Sequence, residues 1–234
     1  MSGRRLMAVA AHPDDLEFGA AGSVAKWVDE GWEAHYVIAT SGQKGVQDVH
    51  ADPHEFGRLR EEEARKAAAV CGVSSVTFLG LMDSEVVLDR ALRTALAREF
   101  RRIRPHRLLA MKPEPLLGED FINHPDHRIV GQAALDMVLT GGTTAAIDPE
   151  LLLEEGLEPW QGLTETWLMG PGSGSVAVDI SATIDRKIAA LRAHESQIGE
   201  DDIESFVRRF TAENGEPHGY AHAENFRVLR RDPR

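Results

Sequence analysis

The sequence predicts a doubly wound α/β domain, a mostly parallel sheet covered by helices on both faces, with a C-terminal β/α elaboration. Three observations carry this expectation. Residues 4–11, 34–40, 76–79 and 107–111 are apolar almost throughout, as strands buried on both faces are. A helix-like segment follows each of the four. Two clusters, His12-Pro13-Asp14-Asp15 and Asn123-His124-Pro125-Asp126-His127, fall just past the first and fourth strands. That is the edge at which open parallel sheets bind ligands.

The elements follow from local signals. After the first strand, residues 19–30 wind into a helix that Gly31 stops. The second strand opens into residues 41–56, which carry Gly42, Gly45 and Pro53 without periodicity and read as a long loop of the kind that forms lids. A helix at 58–70 ends before Gly72, and the third strand follows. The helix at 89–102 gives way to Pro105 and the fourth strand, which leads into a second irregular loop, 112–123. The helix at 128–139 breaks at Gly141-Gly142. Pro149, Gly156, Pro159 and Gly162 mark 143–162 as a linker or an excursion over the site. Strands at 164–169 and 175–180 and helices at 184–197 and 201–211 complete the elaboration. The reading is one domain, 1–234, with a Rossmann-like core at 1–140 and residues 141–234 completing the site.

At 234 residues the chain can bury a sizeable core. No stretch approaches the roughly 20 apolar residues that cross a bilayer. The short run behind Arg4 and Arg5 meets His12 at once, so it reads as a strand and not as a signal peptide. Cys71 is the one cysteine, which excludes an intrachain disulfide and fits a reducing, cytoplasmic setting. It lies in an apolar segment and reads as buried filler. A net charge of −12 argues against nucleic-acid and anionic-membrane partners. The basic run Arg101, Arg102, Arg104, Arg107 reads as a solvated face.

The chemistry lies in the two clusters. His12 and Asp15 are three apart, as are His124 and His127, so on a first helical turn each pair faces one way. Pro13 and Pro125 suit the first helical position. Catalytic zinc takes three protein ligands from His nitrogen and carboxylate oxygen and keeps one position open. Two His and one Asp would leave Asp14, Asp126 and a further His for proton transfer and oxyanion stabilisation. A nucleotide-binding turn is excluded, because His-Pro-Asp-Asp stands where Gly-x-Gly-x-x-Gly would be needed.

The run Ala11-His12-Pro13-Asp14-Asp15-Leu16-Glu17-Phe18-Gly19, together with His124-Pro125-Asp126-His127, closely resembles the LmbE/PIG-L family of zinc-dependent N-acetylglucosaminyl de-N-acetylases, in its short bacterial form. Supporting likeness extends over residues 60–72 and 78–83, Asp185-Arg186-Lys187, His194-Glu195-Ser196-Gln197 and Ala223-Glu224-Asn225-Phe226. It is weakest at 41–57 and 141–162, where substrate choice is expected to be made. The resemblance implies His12, Asp15 and His127 as metal ligands. It implies Asp14 as base on metal-activated water, and His124 as stabiliser of the tetrahedral intermediate and donor to the leaving amine, tuned by Asp126. Arg60 and Asp83 match sugar-contacting positions, and His194 is a candidate reaching the pocket from the C-terminal helix. Trp160, in the excursion, is a candidate for facing a sugar ring. The implied cofactor is Zn²⁺, though a His₂Asp set also accepts Fe²⁺ or Co²⁺. The implied substrate is a small amino sugar or amino-sugar conjugate, from thiol biosynthesis or natural-product tailoring, and a homo-oligomer is expected by resemblance alone. The alternative is a catalytically silent metal- or sugar-binding protein on the same fold. The presence of both Asp14 and His124 argues against it.

Overall fold

The apolar runs become the central strands. In the computed structural model, which describes residues 3–46, 48–114, 116–117, 121–170, 174, 176–198 and 202–231, β1 (Arg4–Ala10) is enclosed from Leu6 onward. It pairs in parallel with β2 (Trp32–Thr40) on one side and β4 (Arg107–Met111) on the other. β3 (Ser75–Leu81) extends the sheet beyond β2, and β5 (Glu165–Met169) extends it beyond β4, both in parallel. β7 (Ala223–Arg230) then adds antiparallel to β5 and carries β6 (Val176–Asp179) on its far side. The order among the described residues is β3-β2-β1-β4-β5-β7-β6. It reverses between β1 and β4, and so opens a crevice at their C-terminal ends.

Helices α1 (Asp15–Asp29), α2 (Pro53–Cys71) and α6 (Ile184–Arg192) pack together on one face, and α3 (Arg90–Ile103) and α4 (Pro125–Leu139) pair on the other. The expected doubly wound sheet is therefore present. Two short helices, α5 (Pro149–Leu153) and α7 (Glu195–Ile198), and a longer one, α8 (Ile203–Gly215), complete the chain.

The structure corrects several expectations. β7 and α5 were not foreseen: β7 lacks a clean alternation, and pairing between β5 and β6 recruits it. The expected helix at 184–197 is two helices, broken at Ala193-His194. Residues 141–162 do not cover the site. Arg101, 2% exposed and not solvated as expected, gathers this segment against α3 by donating to the carbonyls of Gly141, Thr144 and Leu157. Trp160 donates to Pro105 O, before the start of β4, at the edge of the sheet opposite the clusters. Arg107 is buried too, with its guanidinium over the rings of Trp27, Trp32 and Trp167. Cys71 is buried as expected, and burial pushes its thiol up to about 12.

Candidate active site

The first cluster is a strained turn. Asp14, at φ 94°, is the residue before α1, so the helix starts at Asp15, four residues earlier than the sequence suggested. His12 and Asp15 therefore do not share a helical turn. They meet because Asp15 Oδ2 accepts the His12 amide at 2.8 Å. The second cluster is a capped helix start: Pro125 takes the first position of α4, and the His124 side chain accepts the Asp126 amide at 3.3 Å. Because β4 lies beside β1, α4 after it brings this cluster next to the first.

Four ligand-type atoms of three residues converge there. His12 Nδ1 lies 3.2 Å from His127 Nε2, which lies 3.1 Å from Asp15 Oδ1, and Asp15 Oδ2 lies 3.6 Å from His12 Nδ1. Zinc bonds of about 2.0–2.2 Å in a tetrahedral arrangement place neighbouring donors roughly 3.3 Å apart. The spacing of His12, Asp15 and His127 is compatible with a small divalent cation. Two other sets bring one ligand atom of each residue within 4.8 Å of the rest: His12, His124 and His127, and His12, Asp83 and Asp126. His12 Nε2 faces Asp126 Oδ2 at 3.2 Å and Asp83 Oδ1 at 3.3 Å, while its Nδ1 faces His127 and Asp15. Carboxylates behind an imidazole in this way fix its orientation and leave the other nitrogen for a cation.

The electrostatics of the bare site are correspondingly tense. Burial works to lower His12, but hydrogen bonds to Asp15 and Asp83 prevail and raise it to about 10. Burial would raise Asp15, yet its bonds to the two histidines hold it far below the carboxylate range. Asp83 is opposed by burial and drawn down to about 2, chiefly by His12. Asp14 goes the other way: burial and the neighbouring Asp15 charge push it up to about 7, while Arg60 restrains it. His124 is lowered by burial and by the cationic forms of His12 and His127.

Residues 7–138, more than half of the chain, match the family model described as PIG-L, GlcNAc-PI de-N-acetylase. The chain belongs to this family. It is 29% identical over 229 residues to the diacetylchitobiose deacetylase of Thermococcus kodakarensis, covering 97% of this chain and 83% of that one. It is 30% identical over 239 residues to the 1D-myo-inositol 2-acetamido-2-deoxy-alpha-D-glucopyranoside deacetylase of Nakamurella multipartita, covering 83% and 80%. The crystal structure of the N,N'-diacetylchitobiose deacetylase of Pyrococcus horikoshii superposes with a TM-score of 0.88 at 28% identity, covering 98% of this chain and 85% of that one.

Within this family member the remaining expected residues lie close to the ligands but not where expected. Arg60, 4% exposed, sits behind the first loop: its guanidinium donates to Pro13 O at 2.9 Å, Asp14 Oδ2 at 3.2 Å and Gly42 O at 3.0 Å. Gly42 has φ 62°, and a Cβ there would meet Arg60 Nη1 at 2.0 Å, so the loop closes over the guanidinium through a glycine. Asp83 accepts from the Lys44 amide and the Ser84 hydroxyl besides facing His12. The Asp126 carboxylate turns toward His12 and the Ser84 amide, not toward the His124 ring, which it reaches only through its main chain. His194 is wholly enclosed, its Nε2 3.3 Å from Glu17 Oε2 without hydrogen-bond alignment. Neither Arg60, Asp83 nor His194 lines the cavity in front of the site.

That cavity, about 710 Å³, runs from Asp15, His124 and His127 to Phe206 and Phe210 of α8. A buried pair that the sequence reading left without a role also borders it. Lys187 on α6 donates to Glu224 Oε1 at 2.6 Å and to the carbonyls of Glu17 and Phe18 in α1, using all three of its protons. Glu224 on β7 accepts from the Gly22 and Ser23 amides of the same helix. The C-terminal elaboration thereby grips the helix that carries Asp15.

Proposed function

We propose that this protein is a metal-dependent de-N-acetylase acting on a small N-acetylglucosaminyl substrate. The convergence of His12, Asp15 and His127, with Asp14 held beside them by Arg60, is the observation that carries the reading. The names of the relatives, deacetylases of chitobiose and of an inositol glucosaminide, support the substrate class. Zinc suits the donor set best, with Fe²⁺ or Co²⁺ as alternatives. A cation held there supplies a Lewis acid for the amide carbonyl and makes a water acidic enough to attack near neutral pH.

The chain's own residues do the rest. Asp14, poised near neutrality and restrained by Arg60, takes the proton of the attacking water. His124 is neutral at pH 7, and because its Nδ1 accepts the Asp126 amide, the ring proton resides on Nε2. It therefore offers a hydrogen bond to the oxyanion and a route for a proton to the departing amine. Asp83 and Asp126 hold His12, and Arg60 holds Asp14. These three are positioning residues in this scheme, as is His194 behind Glu17.

The test is amine release from N-acetylglucosamine, diacetylchitobiose and malate- and inositol-linked N-acetylglucosamine. Metal-stripped, zinc-reloaded and Asp14→Ala protein are compared. Turnover restored by metal and abolished in Asp14→Ala is expected. Tight binding of one cation with no amine released from any substrate would support the silent-module alternative instead.

A further inference from the structure

Accepting the deacetylase reading of the site, we propose that α8 forms a subsite for an apolar aglycone attached to the amino sugar. The substrate class is accordingly an N-acetylglucosaminide of an alkyl or aryl group. Three observations carry this. Phe206, Phe210 and Asn214 stand four residues apart and line one wall of the catalytic cavity, so they form a stripe along one helix face. The two phenyl rings lie parallel, with an interplanar angle of 2° and centroids 6.2 Å apart, and remain 46% and 48% exposed. Val207, 2% exposed, anchors the helix from its inner side, so the stripe is set on a fixed element.

The lining holds Asp15, Asn123, His124 and His127, the groups that an N-acetylated sugar's amide would meet, and Asn214 and Asn225 besides. Toward α8 the wall is Phe206 and Phe210, and Phe18 of α1 lines the same cavity while 38% exposed. Lys187 in the lining has spent its donors on Glu224 and two carbonyls, so it offers nothing to an anionic aglycone. A malate or inositol group would leave the rings wet. An alkyl or aryl group loses nothing in that place and removes the rings from water. Because the stripe is continuous with the catalytic groups, substrate is its occupant, in preference to a second copy of the chain.

The experiment uses the zinc-loaded full chain with methyl and octyl N-acetylglucosaminides, each as α and β anomers, below micelle-forming concentration. Each methylene that leaves water contributes up to about fourfold, so kcat/KM for the octyl glycoside should exceed that for the methyl one by about tenfold or more, mainly through KM. In Phe206→Ser/Phe210→Ser that ratio should fall to within about twofold. Calorimetric binding of both glycosides to Asp14→Asn protein separates the two readings. An octyl preference in binding without turnover by the wild type would sink the reaction and keep the subsite. Turnover of both glycosides at equal kcat/KM would overturn the subsite and keep the reaction. A double variant that retains the octyl preference overturns it as well, and so does one whose only change is dissociation of an oligomer in sedimentation, which would assign the rings to a contact between copies.

Discussion

Removing Arg60 should move the pH profile in a direction that only its proposed relation to Asp14 predicts. The guanidinium lies 3.2 Å from Asp14 Oδ2 in a setting where both side chains are mostly enclosed. At that distance, with an effective dielectric near 20, the attraction reaches about 5 kcal/mol before relaxation. Opposite charges so close move a carboxylate by about 1–3 pH units. Asp14 stands at about 7 in the bare protein with Arg60 pulling it down. A cation between His12, Asp15 and His127 sets a lower starting point, but losing Arg60 raises Asp14 in either case. The active form of a base is the deprotonated one, so the rate falls as pH drops through its pKa. In Arg60→Met the acid limb of kcat/KM should therefore shift by about 1–3 pH units to higher pH, costing roughly 10- to 1000-fold at a pH below the wild-type limb. Arg60→Lys keeps the charge but not the three-way donation, so its limb should stay within about one pH unit while its plateau falls. Steady-state kinetics from pH 5 to 10, with a thermal melt of each variant, makes the measurement. A cooperatively folded Arg60→Met enzyme whose acid limb coincides with the wild type would refute the assignment.

Other consequences are open to simpler assays. Metal-free protein should lose stability as pH rises from about 6.5 to 10: His12 is raised to about 10 in the folded state, so its contribution is full below 6.5 and fades through that window. The loaded protein should not show this loss, because its imidazole ligands are already neutral, and parallel melts would expose equal slopes if this is wrong. Glu224→Gln should cost about 3–5 kcal/mol in denaturant unfolding by stranding the buried Lys187 charge, and adding Lys187→Met should recover part of that. Gly131→Ala should cost about 1–3 kcal/mol and weaken Co²⁺ binding, since its Cβ would meet Met111 O at 2.4 Å and push α4, with His127, off β4. Unchanged Co²⁺ affinity in that variant would mean that α4 packing does not set the ligand geometry.

The parts of this molecule legible in the sequence are those determined by short-range pattern. β1, β2 and β4 are apolar because both faces are covered, and the proposed ligands stand out because two His-Pro-Asp turns follow apolar runs. The parts that escaped are determined by partners distant in sequence. β7 is a strand because β5 and β6 flank it. Arg101 and Arg107 look like a solvated face until Gly141, Thr144 and Leu157 on one side, and Trp27, Trp32 and Trp167 on the other, enclose them. Asp126 shows the same limit at the site. The resemblance implied that it tunes His124, whereas folding turns its carboxylate toward His12, 114 residues away. The placement of Arg60 behind Asp14 has the same origin, because a sequence match reports a conserved neighbourhood and not the side from which a residue faces it.

The grip of Lys187 and Glu224 on α1 also has a meaning in time. Every proposed ligand, base and oxyanion donor lies within the first 127 residues. The amides of Gly22 and Ser23 nevertheless wait for a carboxylate 202 and 201 positions downstream. At about 5–20 residues per second of synthesis, a growing chain carries its full set of catalytic side chains for several seconds before the helix presenting Asp15 is fastened. The scaffold under the proposed Asp15 ligand is thus fastened only once β7 has been made, and a nascent chain halted before β7 carries the reactive groups with that scaffold unfinished.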